Sequence, residues 1–481
     1  MHYKQGCYVY LIILTINSAR DIINPSIRKD FFYMKHSVCK ILALCMALSI
    51  LCVTFASCGN FTGIDSLLSI LFPTEDEEEG DNNLFVHGLT VFVDNEGKFG
   101  YVNKNGEWAI PPQFDVAGQF TQNKIACVEI NDKYGYININ GEYIANPQFD
   151  RAYDFSNGLA LVELGGMYGY IDENGRYVIN PQFDSAESFS DNGLAVVYKD
   201  GLYGFIDKNG DYVIEPQFDD AYSFDESGLA IVRVGEKWGY IDENGNYIAY
   251  PQFDRAYPFA ENGLALVHSG QKYGFINKNG NYVINPQFDY ASEFSDNGLA
   301  LVKQDGKYGY IDQEGNYVIE PQFEDANSFG ESDLAPVLVG GKYGFIDNTG
   351  ALVINPQFDH ATRFTSDGIA EVRFGDKYGF IGTDGRYIIN PQFDNVSYFA
   401  KNGLALVEVD KKYGYINKNG QYVIEAKYDN ASDFFDDGYA IAYTYQEGSS
   451  SWWGGTEPGS TTFAIIDGQG NVIISSVVED D

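Results

Sequence analysis

The run Tyr168-Gly169-Tyr170-Ile171-Asp172-Glu173-Asn174-Gly175-Arg176-Tyr177-Val178-Ile179-Asn180-Pro181-Gln182-Phe183-Asp184, followed by Gly193-Leu194-Ala195, decides the architecture because it recurs along most of the chain. Its aromatic-glycine step stands at Gly100, Gly135, Gly169, Gly204, Gly239, Gly274, Gly309, Gly344, Gly379 and Gly414. Each lies 35 residues after the last, apart from one step of 34 between Gly135 and Gly169. A period this strict belongs to units that stack on their neighbours.

Each unit reads as three short strands, such as Leu194–Val197, Tyr203–Asp207 and Tyr212–Ile214. Asn209-Gly210 lies between the second and third, with equivalents at Asn174-Gly175, Asn244-Gly245, Asn279-Gly280 and Asn419-Gly420. Asn-Gly accepts positive φ and suits strand twist, so a hairpin is expected in every unit. Glycine between aromatics, as in Tyr308-Gly309-Tyr310, removes a side chain where another group must come close. The proline of Pro-Gln-Phe-Asp, at Pro181, Pro216, Pro251, Pro286, Pro356 and Pro391, is expected to stop ladder pairing, and the Asp after it to hold a turn. The small residue two places on (Ala186, Ala221) and the Phe three further (Phe189, Phe224) read as packing positions, with room for one helical turn. Strands such as Tyr282-Val283-Ile284, apolar on both faces, suggest burial on both sides.

The fold class is therefore all-β, a tandem array of three-stranded units with a first strand near Gly88–Phe92 and a last hairpin over Phe463–Ile474. Eleven units exceed the usual four to eight propeller blades, and three strands are fewer than a blade's four. An open, twisted superhelix is the expected arrangement, and a closed propeller-like toroid is the alternative.

Composition narrows the partners. A formal net charge of -37 repels phosphate backbones, so nucleic acid is not an expected partner. Acidic turns that keep a β-rich protein soluble account for the same charge. Five of the six cysteines lie in the first 60 residues and only Cys127 lies beyond, so the array has no disulfide framework and no paired Cys/His spacing for zinc.

The N-terminal part reads as an address. Lys35, His36 and Lys40 precede the apolar stretch Ile41–Phe55, small residues Ala56 and Ser57, and Cys58. Phe55-Ala56-Ser57-Cys58 resembles a bacterial lipoprotein signal, which implies lipid attachment at Cys58. The rival is an uncleaved anchor, although a span needs about 20 apolar residues. The resulting division gives residues 1–33 as an upstream extension from a mis-assigned start, 34–57 as the signal peptide, and 58–84 as the lipidated cysteine with an acidic linker. The β-repeat array occupies 85–474 with an insertion over 445–461, and 475–481 form an acidic tail.

Nothing in the repeat grammar demands chemistry. Identical units would give equal sites, and His87, His268 and His360 fall at unrelated repeat positions. Asp-x-Asn-Gly runs resemble calcium loops but lack the downstream Glu, and hairpin turns explain them. No catalytic residue, metal ligand or cofactor is expected. Two features escape the repeat. The residue after each Pro-Gln-Phe-Asp varies, giving Arg151, Ser185, Asp220, Arg255, Tyr290, His360 and Asn395. This row is either a recognition stripe, with Arg151, Arg255, Tyr290 and His360 as candidate contacts, or a set of unconstrained solvent positions. Trp452 and Trp453 sit in a Ser/Gly-rich insertion and either cap the last unit or meet a ligand.

The repeated phrase resembles the bacterial WG-repeat family, most clearly in Lys237-Trp238-Gly239-Tyr240-Ile241-Asp242, over about residues 85–474. Most copies carry Tyr-Gly or Phe-Gly in place of Trp-Gly while keeping the rest of the phrase. The resemblance implies a bacterial, often envelope-associated repeat protein and no defined reaction. The expectation is an envelope protein, lipid-anchored at the outer membrane or cell surface, that presents a binding or scaffolding surface to a protein or glycan. An enzyme acting on envelope polysaccharide is the alternative.

Overall fold

The computed structural model describes residues 82–448 and 458–479. Among the described residues the chain forms eleven antiparallel sheets, one of three strands and ten of four, with the strands of each sheet in sequence order. We number them as blades: 1 (89–114), 2 (116–149), 3 (151–183), 4 (185–218), 5 (220–253), 6 (255–288), 7 (290–323), 8 (325–358), 9 (360–393), 10 (395–428) and 11 (430–479).

Blade 4 shows the plan. Its strands are Ser185–Ala186, Ala195–Lys199, Leu202–Ile206 and Tyr212–Phe218. The unit is thus four-stranded, not three-stranded, because the residues after Asp184, where a helical turn seemed allowed, form a short edge strand. Ser185 pairs with Tyr198 and Ala186 with Val197. The Asp184 N–H donates to the Tyr198 carbonyl at 3.0 Å and the Glu187 N–H to the Val196 carbonyl at 3.0 Å, which extends the ladder at both ends.

The expected hairpin joins the third and fourth strands. Gly210 N–H donates to the Asp207 carbonyl at 2.9 Å, Asp207 N–H donates to the Asp211 carbonyl at 2.9 Å, and Gly210 alone takes positive φ, at 88°. This is a turn closed by a glycine bulge, not the two-residue loop with both residues left-handed. Asp207 fixes it by accepting the amides of Asn209 (2.9 Å) and Asp211 (3.0 Å) on one carboxylate oxygen.

Proline does not end the fourth strand. In blade 4 Tyr203 pairs with Phe218 and Phe205 with Ile214, so Glu215, Pro216 and Gln217 all oppose Gly204. A Cβ on Gly204 would lie 2.7 Å from the Ile214 carbonyl oxygen and 2.7 Å from Pro216 N. The glycine is therefore a packing requirement of the bulge. Proline is tolerated because this strand is a sheet edge, where a missing N–H and a bulge also discourage edge-to-edge association.

Burial departs from expectation on the same strand. Ile284 is 3% exposed, but Tyr282 and Val283 are 38% and 40% exposed. Only one face of the edge meets a neighbour: the Ile284 side chain packs under Gly315 of the next blade, as Ile179 packs under Gly210. Blades are also tied by tyrosine. Tyr170 O–H donates to the Glu187 carbonyl of the next blade at 2.7 Å, and Tyr136, Tyr240, Tyr310 and Tyr415 make the equivalent bond. Blades 4, 6, 8 and 9 carry Phe205, Phe275, Phe345 and Phe380 there and rely on ring packing with Phe224, Phe294, Phe364 and Phe399.

The array closes on itself, which overturns the expected open superhelix and gives an eleven-bladed β-propeller. Asp437 accepts the amides of Leu84 (3.2 Å) and Phe85 (3.1 Å), and Asp436 N–H donates to the Asn82 carbonyl at 2.7 Å. Val477 N–H donates to Asn95 Oδ1 at 2.9 Å, and the Phe85 and Tyr439 rings meet edge-on at 4.8 Å. Gly106 abuts the Ile473 backbone just as Gly175 abuts that of Ile144, so the seam copies the interior interfaces. One core cluster spans both ends of the array, from Leu84 and Phe92 to Ile441 and Ile465. The packed body is accordingly longer than expected: Leu84, assigned to the linker, is 1% exposed, and the last strand, Val472–Glu479, takes in most of the supposed acidic tail.

Much of the acidity is committed locally. In most blades the Asp that closes the fourth strand's phrase bonds the lysine that precedes the aromatic-glycine step, as in Lys272–Asp289, Lys377–Asp394 and Lys412–Asp429, each at 2.6 Å, while Met167 and Leu202 take the lysine's place in blades 3 and 4. The other oxygen of the Asp takes a backbone amide, as Asp394 does from Asp410 at 2.9 Å. The lysine bond first, with the amide, holds the carboxyls of Asp254, Asp359, Asp394 and Asp429 below the ordinary value. A carboxyl whose folded pKa is depressed stabilises the fold above its unfolded pKa of about 3.9 and loses that contribution as pH falls through the folded value. The melting temperature is therefore expected to hold from neutrality to about pH 5 and to fall steeply below about pH 4. A melting series from pH 7 to pH 2 checks this; a flat profile to pH 2 refutes it.

Candidate functional site

The variable residue after each Pro-Gln-Phe-Asp phrase opens the short edge strand of its blade. In that place it pairs with a second residue that also varies from blade to blade, and that residue pairs in turn with the aromatic before the glycine. Blade 3 gives Arg151, Glu163 and Tyr168; blade 5 gives Asp220, Arg233 and Trp238; blade 6 gives Arg255, His268 and Tyr273. Blade 7 gives Tyr290, Lys303 and Tyr308, and blade 9 gives His360, Arg373 and Tyr378. Directly opposed residues share a sheet face, so each triplet lies side by side.

The triplets join across blades. Tyr273 of blade 6 meets Tyr290 of blade 7 at 6.1 Å, and Tyr290 meets Tyr308 at 6.4 Å. Tyr343 of blade 8 stacks on His360 of blade 9 at 6.0 Å. At these two junctions the aromatic of one blade touches the variable residue of the next, and the equivalent positions of the other blades extend the row into a belt. Within it Arg233 lies over Trp238 at 5.6 Å, Lys303 over Tyr308 at 4.5 Å and Arg373 over Tyr378 at 6.0 Å, all cation–π distances. Tyr222 stacks on Trp238 at 5.3 Å and is itself 55% exposed.

The belt's electrostatics differ from those of the chain. Its two variable rows hold five cations, Arg151, Arg233, Arg255, Lys303 and Arg373, against five anions, Glu129, Glu163, Asp220, Asp325 and Glu408. That is a formal balance on a molecule carrying -37. Tyr343 O–H donates to Asp325 at 2.6 Å, and Arg151 faces Glu163 at 3.4 Å. Burial, then Tyr257, pushes the Tyr273 phenol up to about 12, so it stays a hydrogen-bond donor. Burial lowers the His268 imidazole below its ordinary value, leaving the ring neutral at pH 7.

Of the four belt candidates, Arg151 and Arg255 are exposed and Tyr290 and His360 half-buried, and the fold brings all four into the belt. Cys58, Trp452 and Trp453 lie outside the described residues. The histidines are not gathered: His87 binds the Thr121 carbonyl at 3.1 Å, while His268 and His360 belong to blades 6 and 9. Among the described residues no three His, Cys, Asp or Glu side chains cluster as metal ligands. The Cys127 thiol is raised by burial and held in the protonated form. Sequence reasoning missed the second row, Glu163, Tyr198, Arg233, His268, Lys303 and Arg373. Its signal was present, as one varying residue after the Val that ends each Leu-Ala-x-Val strand, but its partner became visible only with the short strand.

No curated protein matches the chain. Solved structures resemble it distantly: a eukaryotic initiation factor at 10% identity and TM-score 0.38, over 81% of this chain and 96% of that one. An extracellular domain of a putative one-component system from B. thetaiotaomicron follows at 10% identity and TM-score 0.25, over 81% of this chain and 68% of that one. PorZ of Porphyromonas gingivalis shares 10% identity at TM-score 0.21, over 80% of this chain and 66% of that one. The sequence pattern described as WG containing repeat matches ten consecutive stretches, from 99–134 through 203–238 to 413–443. With that pattern tiling most of the propeller, the chain belongs to the WG-repeat family.

Proposed function

We propose that the propeller is a non-enzymatic binding or scaffolding module, whose partner is a protein or glycan of the bacterial envelope, and that lipid on Cys58 tethers it at the outer membrane or cell surface. The observation that carries this reading is the convergence of the variable positions. Residues fixed from blade to blade build the bulge, the turn and the interfaces, while those that vary meet in one belt of aromatic and charged side chains. Rigid scaffolds that carry changeable contact residues suit recognition.

The test exchanges belt residues and leaves the framework untouched. The full chain carrying R255S, Y290S and H360N is expected to fold but to melt below the parent, because Tyr290 packs against the buried cluster of blade 7, so retention is compared at a temperature where melting curves show both proteins folded. Retention on envelope material from the native host, fractionated into protein and polysaccharide, should fall at least about tenfold, the loss expected when central aromatic and arginine contacts are removed. Equal retention by parent and variant would refute the reading. The tether is checked by palmitate labelling in the host with C58A as control: the parent should label and the variant should not, and an unlabelled parent removes the anchor.

A further inference from the structure

The joint between blades 11 and 1 departs from the interior interfaces at one place, and the departure opens a cleft. In blades 1 to 10 the aromatic before the repeated glycine pairs with a ring on the fourth strand, as Tyr168 does with Phe183 and Tyr203 with Phe218. That ring meets the first aromatic of the next blade's fourth strand edge-on, as Phe183 meets Tyr212 at 6.4 Å and Phe253 meets Tyr282 at 6.1 Å. Blade 11 carries Ala464 where the others carry glycine. A Cβ at this place collides with the bulge, as it would at Gly204, so the last strand runs straight: Ile465 pairs with Ile474, Ala464 with Ser475 and Phe463 with Ser476. Ser476 thus stands where the ring belongs. Trp108 of blade 1, the counterpart of Tyr212, meets Phe92 of its own blade at 6.2 Å instead.

The lost ring leaves a cleft of about 330 Å³ between the two ends of the array, walled by Phe92, Trp108 and Ile474. Ser476 lines it, is only 5% exposed, and its hydroxyl has no hydrogen-bond partner among the described residues. A buried polar group in that condition is unfavourable until a ligand atom satisfies it. The remaining wall is the turn that carries Asp94 and Glu96. One oxygen of Asp94 accepts the amides of Glu96 at 2.9 Å and Lys98 at 2.8 Å, and Asn95 Oδ1 accepts Val477 N–H, so the turn is fixed against the last strand. Among the described residues the lining holds two carboxylates and no basic side chain, and the nearby Lys98 ammonium is bonded to Asp115.

We propose that this cleft binds a primary ammonium on a short alkyl stem, the group that a lysine side chain or a free diamine carries. An ammonium brings three N–H donors, and the wall offers the Ser476 hydroxyl and two carboxylates as acceptors. Its stem covers the rings, whose faces attract a cation as well. The field of a chain of net charge -37 draws cations toward an acidic, low-dielectric cleft. A neutral sugar can use the same rings and hydroxyl but gains nothing from the charge of the acid rim. None of these residues lies in the two variable rows, so the proposal does not rest on the belt. Because the walls come from both ends of the array, an occupant also holds the ring closed, and saturating ligand raises the melting temperature.

Ligand-observed NMR titration of the full chain tests this with four probes: Nα-acetyl-lysine N-methylamide, cadaverine, the uncharged Nα-acetyl-norleucine N-methylamide, and methyl glucoside. At least one amine is expected to bind about tenfold or more tightly than the norleucine amide, which lacks only the charge. Binding of the lysine amide assigns the ammonium to a protein partner, and binding of cadaverine alone assigns it to free diamines. E96Q should weaken the amine about threefold to fivefold, the upper range for an exposed charge pair, while E226Q, which removes the same charge from an exposed position of blade 5, should bind like the parent. S476F, which restores the missing ring, should abolish binding and the rise in melting temperature. Melting curves identify a variant that has failed to fold, and if S476F is one, E96Q against E226Q decides. Equal binding of the lysine and norleucine amides, equal effects of E96Q and E226Q, full binding by folded S476F, binding of methyl glucoside without either amine, or no binding of any probe each overturns the proposal.

Discussion

Replacing Gly204 by alanine is expected to destabilise the protein by about 3 kcal/mol or more, because the new methyl group meets backbone on both sides. Its Cβ would stand 2.7 Å from the Ile214 carbonyl oxygen and 2.7 Å from Pro216 N, and neither can rotate away as a side chain could. The bulge of Glu215, Pro216 and Gln217 would have to open, which pulls Phe218, 1% exposed, from its pairing with Tyr203. Gly201 is the control. It has φ of 92° with nothing within 4 Å of an added Cβ, so alanine there incurs only left-handed strain, about 1 kcal/mol. Denaturant melts of the two variants should differ by about 2 kcal/mol or more, given these two costs. Equal destabilisation would mean that the bulge yields to a methyl group, because Gly204 has no left-handed φ and only its size sets it apart.

Asp437→Ala should open the seam first and the blades later. The carboxylate is 9% exposed, accepts two amides from the other end of the array, and pairs with Lys104 at 3.3 Å. Its removal leaves the Leu84 and Phe85 amides unsatisfied beside a cation that lies 5.6 Å from the Phe85 ring and 5.3 Å from the Tyr439 ring. Losses of this kind cost about 2–4 kcal/mol. Amide exchange should rise in residues 84–93 and 463–477 while blade 6 keeps its protection. Uniform exchange along the chain would show instead that the ring unfolds as one unit, and no change would show that Asp437 does not bear on closure.

Strand chemistry was legible in the sequence, and so was the repeat, because Asn-Gly, Tyr-Gly-Tyr and Pro-Gln-Phe-Asp each report a local requirement. Gly204 and Asp184 act as their neighbours suggest: one leaves room, and the other accepts a backbone amide, that of Asp200 at 3.1 Å. Ser185–Ala186 escaped notice because two residues are too few to display a period. Without that strand the unit counted three members, so an open array was expected and a closed propeller-like toroid stood only as the alternative. Tyr282 and Val283 misled for a related reason: apolar residues on an edge strand look the same in sequence whether one face or both are covered. The belt was half legible. Arg151, Arg255, Tyr290 and His360 announced themselves by breaking the pattern, whereas His268, Lys303 and Arg373 broke it equally and were passed over. Their meaning depends on which residue lies opposite, and pairing across strands is not written in any one stretch of chain.

The seam has a consequence for how such chains change over generations. Among the described residues no strand is shared between the first and last blades: each sheet is built from successive strands of the chain, and the ends meet through side chains, capped amides and the glycine-on-isoleucine contact used at interior interfaces. Duplication or deletion of one whole unit in the gene therefore brings the same two ends to the same joint, in a ring that differs by one blade. Copy number becomes a heritable variable that leaves the closing contacts intact, while each gain or loss lengthens or shortens the belt by one triplet and shifts every later triplet around the circle. A lineage can in this way redraw its recognition surface without a single substitution in the framework.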